Sequence, residues 1–141
     1  MLKLSAYGIR STELEWFTDY LFHRNQIVSF NSVLSTPQPV TCGVPQGSIL
    51  GPLLFIIFAN DIVDVLKRSR IIKYADDTVL YVPGKTIEII ETHLNEDLMN
   101  LSYWFEENEL ILNLKKGKTE AMVFGTAKRL SLSNRDIVIK Y

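Results

Sequence analysis

Two short apolar runs meeting at a pair of adjacent aspartates place the tightest constraint on this chain. The stretch IIKYADDTVLYV, residues 71–82, carries β-branched and aromatic residues on both sides of Asp76 and Asp77. It predicts a β-hairpin with the Asp pair at its tight turn. Such a turn brings two carboxylates into one small volume at the end of a rigid element, where a hard divalent cation such as Mg²⁺ finds oxygen ligands. Aspartate is also a common turn former. Taken alone, the hairpin therefore reads first as a solvated turn between two ordinary strands, and what shifts that balance lies upstream.

A chain of 141 residues is the size of one domain and can bury a core. With 47% hydrophobic and 22% charged residues it has a globular composition rather than a disordered one. A net charge of −1 lacks the basic excess of a self-sufficient nucleic-acid binder. The single cysteine, Cys42, excludes an internal disulfide framework and a multi-cysteine metal site. No apolar signal core follows Met1, so the expectation is an intracellular location, with nucleus and cytoplasm not distinguished. No membrane association is expected either, because the apolar run at 53–59 is too short for a bilayer and is followed by Asn60, Asp61 and Asp64.

In chain order, residues 1–9 read as the end of a helix with Gly8 as its stop. Thr12 and Glu15 have capping-box spacing ahead of Leu14, Phe17 and Leu21, which predicts a helix over 13–23 with Trp16 and Tyr20 widening its buried side. His23 suits the helix C-terminus rather than a metal. Residues 26–44 predict short strands, with a turn at Asn31-Ser32 and a break over 36–39. After the Asp hairpin, Thr86 predicts an N-cap. Ile87, Ile90, Leu94, Leu98, Leu101 and Phe105 then place one amphipathic helix over 86–108, with Trp104 on its core face. Residues 110–124 predict a second hairpin, and 131–141 one more strand.

The other informative stretch is GVPQGSILGP, residues 43–52. Three glycines and two prolines in ten residues are incompatible with a regular strand or a helix interior. The stretch opens onto LLFIIFANDIVDVLKRS, predicting a helix over 52–67 with Pro52 in its first turn. Gly51 is the expected cap, Ser48 the alternative, and 53–59 is expected to be buried all round. A glycine loop feeding a helix start exposes N–H donors and admits close approach of another backbone. Gln46 adds a side-chain amide that both donates and accepts. An unliganded helix entry satisfies the same pattern, and the nucleotide-binding P-loop is excluded because no Lys-Ser/Thr follows the glycines.

The two stretches together, GVPQGSILGPLLF and then YADDTVLY about twenty residues on, closely resemble the reverse-transcriptase palm of non-LTR (LINE-type) retrotransposons. RNQIVSFNSVLS and NDI are similar to the family's flanking elements, and the resemblance covers residues 1–126. Ala75 is similar to the non-LTR and group II intron types rather than the retroviral ones. The resemblance implies an α+β fold, a partial polymerase palm with an antiparallel sheet carrying the YADD hairpin and backed by helices. It implies RNA-directed DNA synthesis by two-metal nucleotidyl transfer to a primer 3′-OH. Asp76 and Asp77 are then the catalytic, metal-binding carboxylates. Pro45, Gln46, Gly47, Tyr74 and Ala75 border template and nucleotide, and Lys118 approaches the nucleotide's phosphates, with Lys115 and Lys116 as alternatives. The implied cofactor is Mg²⁺, or Mn²⁺ in its place. The implied partners are an RNA template, a DNA primer and deoxynucleoside triphosphates.

Two ions about 4 Å apart need carboxylates from more than one strand. In the family a further aspartate comes from an earlier strand. Asp19, Asp61, Asp64, Asp97 and Asp136 do not lie in a comparable apolar strand, so the expectation is a palm fragment whose fingers and thumb belong to a longer chain. Residues 127–141 form an extension. The alternative to an enzyme is a catalytically inactive remnant that at most binds nucleic acid or another protein.

Overall fold

Glycine ends the first helix where the pattern places it. The structure, a computed structural model, describes residues 1–75, 77–113, 118–131 and 137–140. Helix α1, Leu2–Ala6, stops at Gly8, whose φ of +87° lets its N–H reach the Ser5 carbonyl at 3.0 Å and the Ile9 N–H the Leu4 carbonyl at 3.2 Å. That pair of bonds is a Schellman end. The chain divides into two compact units, Met1–Asn60 and Asp61–Tyr141. Secondary structure among the described residues is α+β: helices and three two-stranded antiparallel sheets.

In the first unit, α2 covers Ser11–Leu21, starting ahead of Thr12. Ser11 takes a φ of +50° behind an extended Arg10, so the chain enters the helix before Thr12 can cap it, and no side-chain cap bond forms. No residue of α2 is buried, against the expectation for Trp16 and Tyr20. Their rings find each other instead: Trp16 stacks on Tyr20 with centroids 5.3 Å apart and meets Phe17 edge-on at 5.1 Å. His23 lies beyond the helix at φ +56°.

One long interrupted hairpin follows. Strand β1, Arg24–Gln26, pairs with β4, Gln38–Val40, and inside them β2, Ser29–Phe30, pairs with β3, Val33–Leu34. Asn31 and Ser32 make the predicted turn, both at positive φ (47° and 61°), as a two-residue type I′ connection requires. Two residues separate β1 from β2 but three separate β3 from β4, so the hairpin carries a bulge. Ser35 stitches it, its N–H donating to the Val28 carbonyl (2.9 Å) and its hydroxyl accepting from the Val28 N–H (3.0 Å). The expected break over 36–39 is shorter: pairing resumes at Gln38 and includes Pro39, which a sheet edge tolerates.

Helix α3, Leu50–Phe58, is shorter than the helix expected over 52–67. The Lys3 ammonium takes the Phe58 carbonyl at 2.6 Å and lies 4.5 Å from that ring's centroid. Ala59 leaves helical geometry, and a 3₁₀ helix continues over Asn60–Val65. The Asn60 amide donates to the Tyr7 hydroxyl and the Asp61 carboxylate accepts from Trp104 Nε1. Both side chains are engaged where a longer α-helix would have passed. Burial within α3 falls on Gly51 and Leu54, with Ala59 just beyond and Leu4 of α1. Leu53 and Ile56 are exposed, so the apolar run is buried on one stripe and not all round.

The second unit holds the predicted hairpin, β5 (Arg70–Tyr74) with β6 (Asp77–Tyr81), and helix α4, Ile87–Glu107. Thr86 caps α4 as expected, its hydroxyl accepting from the Ile89 N–H at 3.4 Å. Ile62, Leu101 and Trp104 are buried. Helix α4 ends in a second Schellman pattern, with Glu109 at φ +54° and the Leu110 N–H on the Phe105 carbonyl at 2.9 Å.

No strand forms among the described residues of 110–124, where a hairpin was expected. Met122 and Phe124 are exposed, and a two-stranded ribbon without a surface to pack on is marginal. Thr119 Oγ1 donates to the Asn113 carbonyl at 3.3 Å in place of a ladder. Helix α5 covers Ala127–Ser131. Residues 137–140 form no strand. The Asn95 amide holds them instead, donating to the Val138 carbonyl (2.9 Å) and accepting from the Lys140 N–H (2.8 Å).

Candidate active site

The β5–β6 register runs Arg70↔Tyr81, Ile71↔Leu80, Ile72↔Val79, Lys73↔Thr78 and Tyr74↔Asp77. The Tyr74↔Asp77 pair is the last of the ladder, and Ala75 follows directly on it. Ala75 turns the chain at φ +54°, a left-handed value that costs a residue with a Cβ about 1 kcal/mol. Asp77 closes the register and is exposed; Tyr74 opposite it is 83% exposed. Period-two alternation puts Arg70, Ile72, Tyr74, Asp77, Val79 and Tyr81 on one face of the ribbon, and each of these is exposed. Asp76 lies outside the described residues, as do Lys115 and Lys116. Lys118 lies in an exposed turn of the second unit.

The glycine loop belongs to the first unit, and its chemistry is that of a tight turn. The Ser48 N–H donates to the Pro45 carbonyl at 3.2 Å, so Pro45, Gln46, Gly47 and Ser48 form a β-turn. Gly47 stands third, at φ +78°, the position and sign that a type II turn demands. Gln46 is thereby carried on the turn's corner, exposed. Ser48 then folds back, its hydroxyl accepting from the Gly51 N–H at 3.0 Å. The cap position itself falls on Ile49, with Ser48 one residue ahead of it satisfying a first-turn N–H, and Gly51 lies inside the first turn of α3. Arg24 anchors the start of the loop: its Nη2 donates to the Gly43 carbonyl (2.5 Å) and its Nε to the Leu21 carbonyl at the end of α2 (2.8 Å).

Tyr74, Ala75 and Asp77 are thus gathered on one turn, and Pro45, Gln46 and Gly47 on another. No group of three or more His, Cys, Asp or Glu side chains able to hold a metal ion occurs among the described residues. Asp61 is engaged by Trp104 at 3.2 Å. No helix of the described residues is long and apolar enough to cross a membrane.

Asp97, set aside as a metal ligand by its helical position, carries a structural role instead. Asp97 of α4 is completely buried. Its Oδ1 accepts from the Lys67 N–H at 2.8 Å, and its Oδ2 from the Arg68 N–H at 2.9 Å and the Ser69 N–H at 2.5 Å. Burial pushes its pKa up, but the hydrogen-bonding neighbours at 67–69 outweigh that and hold the carboxyl below the ordinary carboxylate range. The Ser69 hydroxyl has no hydrogen bond of regular geometry, so we assign the lowering chiefly to the three N–H donors. A signal existed: position 97 is three residues after Leu94 and four before Leu101, a charge set into an apolar stripe.

A family model described as reverse transcriptase (RNA-dependent DNA polymerase) matches residues 1–131. Among curated proteins of Drosophila melanogaster, the chain is 33% identical over 125 residues to the RNA-directed DNA polymerase from mobile element jockey. That match covers 82% of this chain and 14% of the relative. It is 42% identical over 92 residues to the probable RNA-directed DNA polymerase from transposon X-element, covering 62% and 10%. It is 31% identical over 104 residues to the corresponding protein from transposon BS, covering 69% and 12%. The chain spans between 10% and 14% of the length of these relatives. No solved structure matches it.

Proposed function

Because the chain belongs to the reverse transcriptase (RNA-dependent DNA polymerase) family, of the non-LTR retrotransposon type, we propose that it forms part of the palm of an RNA-directed DNA polymerase. Residues 1–126 are the palm segment in this reading and 127–141 an extension. The observation that carries it is the pairing of Tyr74 with Asp77, which sets a carboxylate at the tip of a rigid two-stranded element.

Asp76 and Asp77 are the residues that would hold the divalent ion. Hard, exposed carboxylate oxygen at the end of a ribbon suits Mg²⁺, and Mn²⁺ in its place. Two carboxylates fill only part of the roughly six oxygen positions that Mg²⁺ takes. Bound there, the ions would supply Lewis-acid activation of the primer 3′-OH and charge neutralisation on the leaving pyrophosphate. The chain's own groups do the placing. Gln46, raised on its turn between Pro45 and Gly47, offers both a donor and an acceptor to template or nucleotide. Tyr74 presents an exposed ring beside Ala75, and Lys118 offers a cation to the triphosphate. The partners are an RNA template, a DNA primer and deoxynucleoside triphosphates.

Primer extension on an RNA template with Mg²⁺ or Mn²⁺ tests this. Incorporation above that of an Asp76→Asn, Asp77→Asn double variant is the expected result. Incorporation no greater than in that variant would overturn polymerase activity for this chain and leave an inactive remnant.

A further inference from the structure

Both roots of the carboxylate hairpin are fastened to helix α4. On the entry side Asp97 takes the N–H groups of Lys67, Arg68 and Ser69, the three residues immediately before β5. On the exit side the chain leaves β6 through Gly84, where an added Cβ would stand 2.4 Å from Ile90 Cγ1, and enters α4 at the Thr86 cap. Ile90 and Asp97 are two turns apart on one helix, about 10 Å of rise.

We propose that Asp97 is a positioning residue for the carboxylate hairpin, holding the root of β5 so that the tip bearing Asp76 and Asp77 is presented in one place. This rests on the metal-binding reading of that tip. Three successive donors on one carboxylate fix direction as well as distance, since each N–H points to its own lone pair. Five residues of strand put the tip about 17 Å from the clamp. A swing of about 10° at the root would therefore move the tip about 3 Å, and misplacement of reacting groups by about 1 Å lowers rates on the order of a hundredfold. A fully buried carboxylate already holding three backbone donors is closed to a metal ion at the surface, so Asp97 acts through the hairpin and not on the ion.

The test uses the 141-residue chain as wild type, Asp97→Asn, Asp97→Glu, Asn108→Ala and Asp77→Asn. Hydrogen exchange read by mass spectrometry at low concentration follows residues 70–81 and 87–107 separately, and calorimetry reads Mn²⁺ affinity. Asp97→Asn should speed exchange of 70–81 by about tenfold or more beyond its effect on 87–107. It should also weaken Mn²⁺ binding, and Asp97→Glu should restore part of both. Asn108→Ala, which removes the amide bond to the Trp104 carbonyl and loosens the far end of the same helix without touching either root, should change 87–107 and leave Mn²⁺ affinity alone. Equal effects of Asp97→Asn and Asn108→Ala on the hairpin would overturn the proposal. If the wild type binds no Mn²⁺, or Asp77→Asn binds it equally well, the metal reading fails, and the exchange comparison still decides whether Asp97 holds the hairpin.

Discussion

Ala75 and Glu109 both sit at φ +54°, a region where a Cβ is strained, yet they differ in what surrounds them. Glu109 ends α4, so Glu109→Gly should raise stability by about 1 kcal/mol, read as a higher denaturant midpoint at unchanged slope. Ala75 joins β5 to β6 beside the aspartates. Ala75→Gly relieves the same strain and should stabilise by a similar amount, about 1 kcal/mol, while widening the range of turn conformations. In an active polymerase it should therefore lower primer extension even as the melting temperature rises, and a parallel rise of both would remove strain from the turn's role. Gln46 is exposed on its corner, so Gln46→Ala should leave the circular dichroism melt unchanged and raise the KM for nucleotide or weaken template binding. Unaltered kinetics would take the loop out of the site.

At the scale of elements, α4 carries the most consequence. Asp97 is held below its ordinary pKa of 3.8, so its stabilising contribution is complete above that value and is lost as pH falls through the lowered one. Asp97→Asn leaves at least one backbone donor without a partner, a destabilisation of about 2–3 kcal/mol at neutral pH. That difference should stay flat above about pH 5 and close below about pH 3.8, as read by urea melts across pH. A constant gap into strong acid would show that the charge is not what the backbone holds. Local chemistry made β5–β6, the Asn31-Ser32 turn, the Thr86 cap and the stripe of α4 legible from the sequence, because each depends on neighbours within a few residues. What escaped depended on partners far along the chain. The end of α3 at Phe58 needs Lys3, and the clamp on residues 67–69 needs Asp97. The expected ribbon over 110–124 had the right alternation but no surface to lay it on. The turn of the glycine loop was readable as glycine-dependent, whereas its anchoring by Arg24 was not.

For the whole molecule, the balance of buried and bare apolar surface decides behaviour in solution. Phe30 is 74% exposed and Ile49 96%, and Val33, Leu34, Ile72 and Val79 are uncovered as well. All but Ile49, which stands at the start of α3, lie on short two-stranded ribbons, and bare apolar side chains so placed favour association. The chain expressed alone should therefore show concentration-dependent light scattering and bind a hydrophobic dye. A monodisperse monomer with one cooperative melt would contradict this. The relatives are many times longer, and if their remaining chain covers this surface, co-expression with it should reduce the scattering.

The bond from Lys3 to the Phe58 carbonyl has a temporal side. It joins residues 55 apart and closes the first unit almost end to end. On a ribosome, Lys3 emerges long before Phe58 exists, so α1 must wait in the nascent chain for the partner that completes it. Until α3 clears the exit tunnel, Leu4, buried in the folded unit, lacks the helix that α1 packs against, and chaperones have that interval in which to act.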